Sequence, residues 1–220
     1  MKAFLKNRSP LFWVLLFGFG LMFILIVTAP TPKGELNPNL LPWNAKVLPN
    51  HQIQALGLII PESTLEDAMK RYGKDVEIQL FSNKDESEKS LEAYFPVIYI
   101  GSIKAALLLK LKADDATLND FYNHSPATTV TPTGQRKVTL ASQDLGRSLK
   151  LPIAAITLIP KKNLTYRAIK MRFGEPAQIL KEETTQIERW RYPLYGLEII
   201  YDPDGPDALQ YAPQFASGTL

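Results

Sequence analysis

The longest uninterrupted apolar run of the chain lies near its start. Residues 11–29 carry no charged side chain, and Lys2, Lys6 and Arg8 stand directly before them. A helix rises about 1.5 Å per residue, so this run spans roughly 28 Å, close to the thickness of a bilayer's hydrocarbon core. The pattern predicts a single transmembrane anchor at 11–29 behind a cytoplasmic basic tip at 1–10.

The basic flank predicts a location at the inner (plasma) membrane, with the N-terminus cytoplasmic and the rest of the chain periplasmic or otherwise extracytoplasmic. A cleaved signal peptide is the alternative, because the run ends in the small-residue sequence Val27-Thr28-Ala29. Pro30 follows directly, and the run is longer than a usual signal core, so an uncleaved anchor is the preferred interpretation.

Residues 30–50 show neither helical nor strand periodicity and contain five prolines. This composition predicts an extended, proline-rich stalk. Leu40, Leu41 and Trp43 interrupt it with apolar side chains that a solvated spacer does not need. We expect them to dock on the folded part of the chain, and a partner-binding site is the alternative.

Beyond the stalk, the apolar pattern divides into two halves of similar size. A segment rich in Pro, Thr and Gly at 124–135 separates a first repeat at 51–123 from a second at 136–220. A shift of 101 positions aligns them, with identical residues at Thr64/Thr165, Arg71/Arg172, Gly73/Gly174 and Ile78/Ile179. The alignment predicts an internal duplication.

Each half begins with one short amphipathic helix. In the first, Ser63 and Glu66 have the spacing of a capping box, and Gly73 ends the helix. In the second, Asn163 is the expected cap and Gly174 the expected stop. Further helices are expected at 115–122 and 142–149. The expected strands are 76–81, 91–100, 103–112, 177–180, 187–192 and 197–201.

These elements together predict an α+β fold: an N-terminal transmembrane helix followed by two tandem small units, each with short helices packed on an antiparallel sheet. In the strand 187–192, Trp190 and Tyr192 alternate with Arg189 and Arg191. Such alternation is typical of an antiparallel strand that is buried on one side.

The second half resembles a known family in its order of motifs. A short helix leads to Gly174 and Pro176, and a strand with Trp190 and Tyr192 follows. This order is similar to that of the SmpA/OmlA family of outer-membrane assembly lipoproteins, over about fifty residues. The resemblance implies helices before a three-stranded antiparallel sheet, and a function in protein binding without catalysis.

Two features depart from that family. The chain has no cysteine, so it lacks the residue that carries the family's lipid. It also has two copies of the motif where the family has one, which is similar to the tandem fold of the β-lactamase inhibitor protein. Because the match lies in scaffold motifs, it assigns no individual contact residue.

The charge balance argues against nucleic acid as a partner. The chain has 25 Lys and Arg against 22 Asp and Glu. Three of the basic residues belong to the first eight positions, so the remainder is neutral. Binding to a phosphate backbone needs a basic surface, which this composition does not supply.

Candidate catalytic and metal-binding groups are few. His51 and His124 lie in or beside proline-bearing segments, without a partner at a diagnostic spacing. The segment 202–207 (DPDGPD) has three carboxylates, for which a turn is preferred over a calcium site. Glu182 and Glu183 are adjacent and point to opposite sides of a strand. We therefore expect no metal, no cofactor and no enzymatic activity.

The densest aromatic group is the candidate partner-binding surface: Trp190, Tyr192, Tyr195 and Tyr201. Such rings either fill a sheet core, which is the preferred interpretation, or anchor an interface. The sequence thus predicts a membrane-anchored, non-catalytic protein-interaction module of the cell envelope. The alternative is a periplasmic sensor that binds a small molecule or glycan through the aromatic face.

Overall fold

The computed structural model describes residues 37–216, which form thirteen strands and four α-helices. The helices are α1 Leu65–Tyr72, α2 Asp115–Asn123, α3 Ser142–Ser148 and α4 Tyr166–Phe173. The strands are β1 Lys46–Val47, β2 Ile53–Ala55, β3 Leu58–Ile60, β4 Glu77–Ser82, β5 Lys89–Ile100, β6 Ile103–Leu111, β7 Ala127–Val130, β8 Arg136–Thr139, β9 Ile153–Pro160, β10 Gln178–Lys181, β11 Glu188–Tyr192, β12 Leu197–Tyr201 and β13 Ala208–Tyr211.

The strands form two antiparallel sheets. The smaller has the order β1-β2-β3, and the larger has the order β10-β11-β12-β13-β9-β6-β5-β4-β8-β7. Strand β9 lies between β6 and β13 and pairs with both. The strands of both predicted repeats therefore belong to one continuous sheet of ten.

The expected fold class was wrong. The described residues are mainly β, and they do not form two tandem units that each carry their own sheet. The physical reason is that β6 has a free edge after the first half is complete. The apolar strand β9, with Ile156 and Leu158 fully buried, pairs with that edge. Edge strands of apolar sequence seek such pairing, and the union removes two exposed edges.

The transmembrane anchor expected at the inner membrane has no support in the described structure. Within residues 37–216, no helix is long and apolar enough to cross a membrane. The longest α-helix there has nine residues, or about 14 Å, less than half the hydrocarbon thickness. The predicted segment 11–29 and its flank of Lys2, Lys6 and Arg8 lie outside the described residues.

The ten-stranded sheet is apolar on one face and polar on the other. Alternate residues of β5 and β6, such as Phe95 and Leu107, are buried in one continuous core. The opposite face pairs polar residues across strands, with Glu92 beside Lys110 and Arg191 beside Glu198. The predicted alternation in β11 is confirmed, since Trp190 and Tyr192 are buried and the arginines between them are not.

Helices α1 and α4 keep the 101-residue spacing that the sequence alignment predicts. Their caps lie one or two residues later than expected. Thr64 caps α1, and its hydroxyl accepts from the Asp67 amide at 3.3 Å, while Thr165 accepts from the Ala168 amide at 3.1 Å. Ser63 is unavailable as the cap because its hydroxyl accepts from the Ile59 amide instead. The predicted stops at Gly73 and Gly174 are confirmed, both at positive φ.

The segment expected to link the repeats contains a strand. Within 124–135, residues Ala127–Val130 form β7, which pairs with β8 at the outer edge of the large sheet. All four residues of β7 are exposed. The Thr and Pro content that suggested a linker reflects an edge strand without a buried face.

Candidate functional site

The structure places the predicted aromatic surface largely inside the molecule. Trp190 is fully buried and Tyr192 nearly so, whereas Tyr195 and Tyr201 are half-buried and pack against the core. Burial raises the pKa of the Tyr192 phenol, which donates to the Gly174 carbonyl at 3.3 Å. These four rings therefore do not form an exposed binding surface.

Rings of this group contact helix α4 near both of its ends. The Phe173 ring lies 5.7 Å from Tyr192 and 6.3 Å from Tyr195, between ring centroids. At the other end of the helix, the Tyr166 ring meets Trp190 edge-on at 4.5 Å. Aromatic contacts at both ends fix the position of α4 on the sheet.

The described part of the predicted stalk is docked on the folded body, as expected for its apolar residues. Leu40, Leu41 and Trp43 pack against the core, and Pro42 is buried. The Tyr211 hydroxyl donates to the Pro42 carbonyl at 2.8 Å in a fully buried hydrogen bond. Residues 37–44 are thus a structural part of this body and not a solvated spacer.

Docking of this segment creates a groove beside α4, which we call the α4 groove. It has a volume of about 560 Å³, within the range of ligand sites. Its surface is mostly apolar and comes from the N-terminal segment, the sheet and the helix, in particular from Trp43, Ile103, Leu158, Ile169, Phe173 and Leu209.

The rim of the α4 groove is basic. Lys104, Lys161, Lys162 and Arg172 line it, and no Asp or Glu stands among the described residues that do so. None of the four forms an ion pair with a carboxylate anywhere in residues 37–216. The groove therefore combines apolar walls with uncompensated positive charge.

Trp43 and Arg172 form one wall together. The Arg172 guanidinium lies 4.4 Å from the centre of the Trp43 ring, and that ring meets Phe173 edge-on at 6.5 Å. A guanidinium over an indole face is held in place and still keeps its donors free for an anion.

The segment 202–207 positions the opposite wall. The Asp207 carboxylate accepts from the backbone amides of Leu164 at 2.5 Å and Asp202 at 3.1 Å, and burial raises the pKa of Asp207. The Asn163 amide group donates to the Gly205 carbonyl at 2.8 Å. This turn thereby holds residues 161–165 against the groove.

The two histidines differ in their surroundings. His51 is exposed, while His124 Nδ1 lies 3.0 Å from the buried Asp144 carboxylate. Asp144 also contacts Arg147 at 3.4 Å. Among residues 37–216, His124 makes no side-chain hydrogen bond to a hydroxyl that could act as a nucleophile. The pair joins the end of α2 to α3, a contact that the sequence spacing did not reveal.

The carboxylates singled out in the sequence are engaged separately. Glu182 accepts from Thr185 and from Arg189, and the Thr185 hydroxyl and then Arg189 hold its pKa below the ordinary value. Glu183 is exposed. Within residues 37–216, no group of three or more His, Asp or Glu side chains is arranged to hold a metal ion.

A second depression, of about 660 Å³, lies beside the turn between β4 and β5. It is larger than the α4 groove but more polar, and its charged lining mixes Glu88, Glu92 and Asp115 with Lys89 and Lys110. Mixed charges at short range select neither an anion nor a cation. The α4 groove is therefore the better candidate site.

Comparison of the chain with protein-family models, with curated proteins and with solved structures finds no match. The function must therefore be argued from the site itself.

Sequence reasoning missed the α4 groove because its parts are far apart in the chain. Residues 43, 104, 161 and 172 converge only when the large sheet forms. Two local signals pointed to it: Trp43 as an apolar residue among prolines, and the adjacent lysines Lys161 and Lys162 directly after an apolar strand.

Proposed function

We propose that the protein is a non-catalytic binding module and that it binds another protein through the α4 groove. The observation that carries this proposal is the joint presence of apolar walls and an unpaired basic rim in one groove. Protein interfaces are built in this way, with an apolar centre, enriched Trp and Arg, and a polar rim.

The alternative, a small-molecule or glycan sensor that uses the predicted aromatic face, lacks the pocket that it requires. Trp190 and Tyr192 are buried beneath α4, so no ligand reaches their rings in the described structure. Glycan sites stack sugars on accessible aromatic faces, and Arg172 covers one face of the Trp43 ring.

Site-specific photocrosslinking in the native host tests the proposal. A photoreactive residue replaces Lys162 on the groove rim, and in a matched control it replaces Lys74, which is also exposed but does not line the groove. We expect one protein to crosslink at position 162 and not at position 74. An excess of the chain without the photoreactive residue should reduce the yield. No crosslink at 162, or equal crosslinks at both positions, would contradict the proposal.

A further inference from the structure

The positive charge at the α4 groove is a local excess in a neutral body. Residues 37–216 contain 21 basic and 21 acidic side chains. Some basic residues outside the groove have carboxylate partners, as Lys170 does with Glu175 at 2.8 Å and Arg189 with Glu182 at 3.0 Å. Lys170 lies only two positions from Arg172 on the same helix, but Arg172 lines the groove, where no carboxylate is among the lining residues of the described chain.

Clustered like charges repel one another, and such a cluster is retained at a cost that an anionic ligand removes. Lys161 and Lys162 are adjacent and exposed, and the Lys161 amide donates to the Lys104 carbonyl at 2.9 Å. This hydrogen bond holds the loop that precedes α4 next to strand β6. Lys104, Lys161, Lys162 and Arg172 thus line one groove with apolar walls.

The apolar walls lie between these cations. Trp43, Ile103 and Leu164 are among the lining residues, so the groove favours a ligand that has an apolar group as well as negative charge.

We infer that the α4 groove recognises an acidic segment that carries an apolar anchor residue. The anchor packs against Trp43 in the groove, and carboxylates on either side of it meet Lys161, Lys162 and Arg172. This inference rests on the proposed function of the groove and specifies the chemistry of its partner.

Fluorescence anisotropy with the full chain and three labelled twelve-residue peptides tests this inference. The first peptide consists of Glu, Leu and Phe, the second replaces each Glu by Lys, and the third replaces each Leu and Phe by Ser. We expect the first to bind, with an affinity that falls as salt is raised, and the other two to bind at least tenfold more weakly. Equal binding of the basic peptide would overturn the inference.

Charge reversal locates the binding. The double variant Lys161→Glu/Lys162→Glu should weaken binding of the first peptide at least tenfold, and the matched variant Lys74→Glu/Lys150→Glu less than twofold. All four lysines are exposed, so unchanged thermal unfolding is the control for folding. Equal losses in both variants, or none in either, would overturn the inference.

Two further probes distinguish an acidic protein segment from other anionic partners. Phosphatidylglycerol vesicles or a twelve-nucleotide single-stranded DNA that binds through Lys161 and Lys162, when the acidic peptide does not, would overturn the inference in favour of a membrane surface or a nucleic acid. A protein crosslinked at position 162 whose binding survives the Lys161→Glu/Lys162→Glu change would overturn the acidic partner and leave the proposed function standing.

Discussion

At the scale of single residues, two buried polar side chains hold the walls of the α4 groove. Tyr211 binds the Pro42 carbonyl, and Asp207 binds the amide of Leu164. Burial raises the pKa of Tyr211 well above its ordinary value, so the phenol stays protonated and donates. The groove thus depends on hydrogen bonds that lie beneath it.

Tyr211→Phe removes one of these bonds and leaves the Pro42 carbonyl buried without this donor. We expect the free energy of unfolding to fall by about 1–3 kcal/mol, measured by urea denaturation. Tyr99→Phe is the matched control, because the Tyr99 side chain is largely exposed and its loss should change stability by less than about 0.5 kcal/mol. Equal effects of the two substitutions would contradict this role of Tyr211.

Gly57 allows the N-terminal segment to approach α1. Its φ is +71°, and an added Cβ would lie 2.6 Å from Leu40 Cδ2 and 2.9 Å from Arg71 Cζ. We expect Gly57→Ala to destabilise the protein by about 1–3 kcal/mol in thermal or chemical unfolding.

Gly146→Ala is expected to change stability in the opposite direction. Gly146 lies within helix α3, where an added Cβ meets nothing within 4 Å. Alanine there should stabilise by about 0.5–1 kcal/mol.

A neutral or stabilising Gly57→Ala would show that Leu40 does not pack as described.

At the scale of elements, the sequence predicted local structure better than pairing. In each half, the first helix and the strand that follows it appear where the 101-residue alignment places them. The reason is that caps, apolar spacing and glycine stops act within a few residues. The short strands β1, β2, β7, β8 and β13 were missed. Strands of two to four residues carry too few alternations to be recognised.

The polar face of β11 and β12 depends on a carboxylate that is only 3% exposed. Glu198 accepts from Arg189 Nη1 at 3.2 Å and from Arg191 Nε at 3.1 Å. We expect Glu198→Ala to cost about 2 kcal/mol of unfolding free energy, since two arginines lose a buried partner but stay partly solvated. Glu183→Ala, at an exposed position, should change stability by less than about 0.5 kcal/mol. The same midpoint of urea unfolding for both variants would contradict this role of Glu198.

At the scale of the whole molecule, the sequence could not reveal that both halves share one sheet. That outcome depends on the pairing of β9 with β6, which joins residues about fifty positions apart and leaves no local pattern. The α4 groove was hidden for the same reason. Its charge is invisible in the composition of residues 37–216, where basic and acidic side chains are equal in number.

A shared sheet predicts cooperative unfolding. Far-ultraviolet circular dichroism and tryptophan fluorescence should report one transition in urea with the same midpoint. Trp190 lies in the second half and Trp43 contacts Phe173 of that half, whereas most of the longer strands lie in the first half. The two signals therefore weight the halves differently. Two separated transitions would instead indicate tandem units that fold independently.

The central claim is that the α4 groove binds the partner protein, and amide hydrogen exchange tests it most directly. Exchange is measured on the full chain alone and in complex with the protein crosslinked at position 162. We predict that binding slows exchange at residues 42–44 and 161–173, which border the groove. Slower exchange confined to the sheet edges β7 and β10, with α4 unchanged, would contradict the claim.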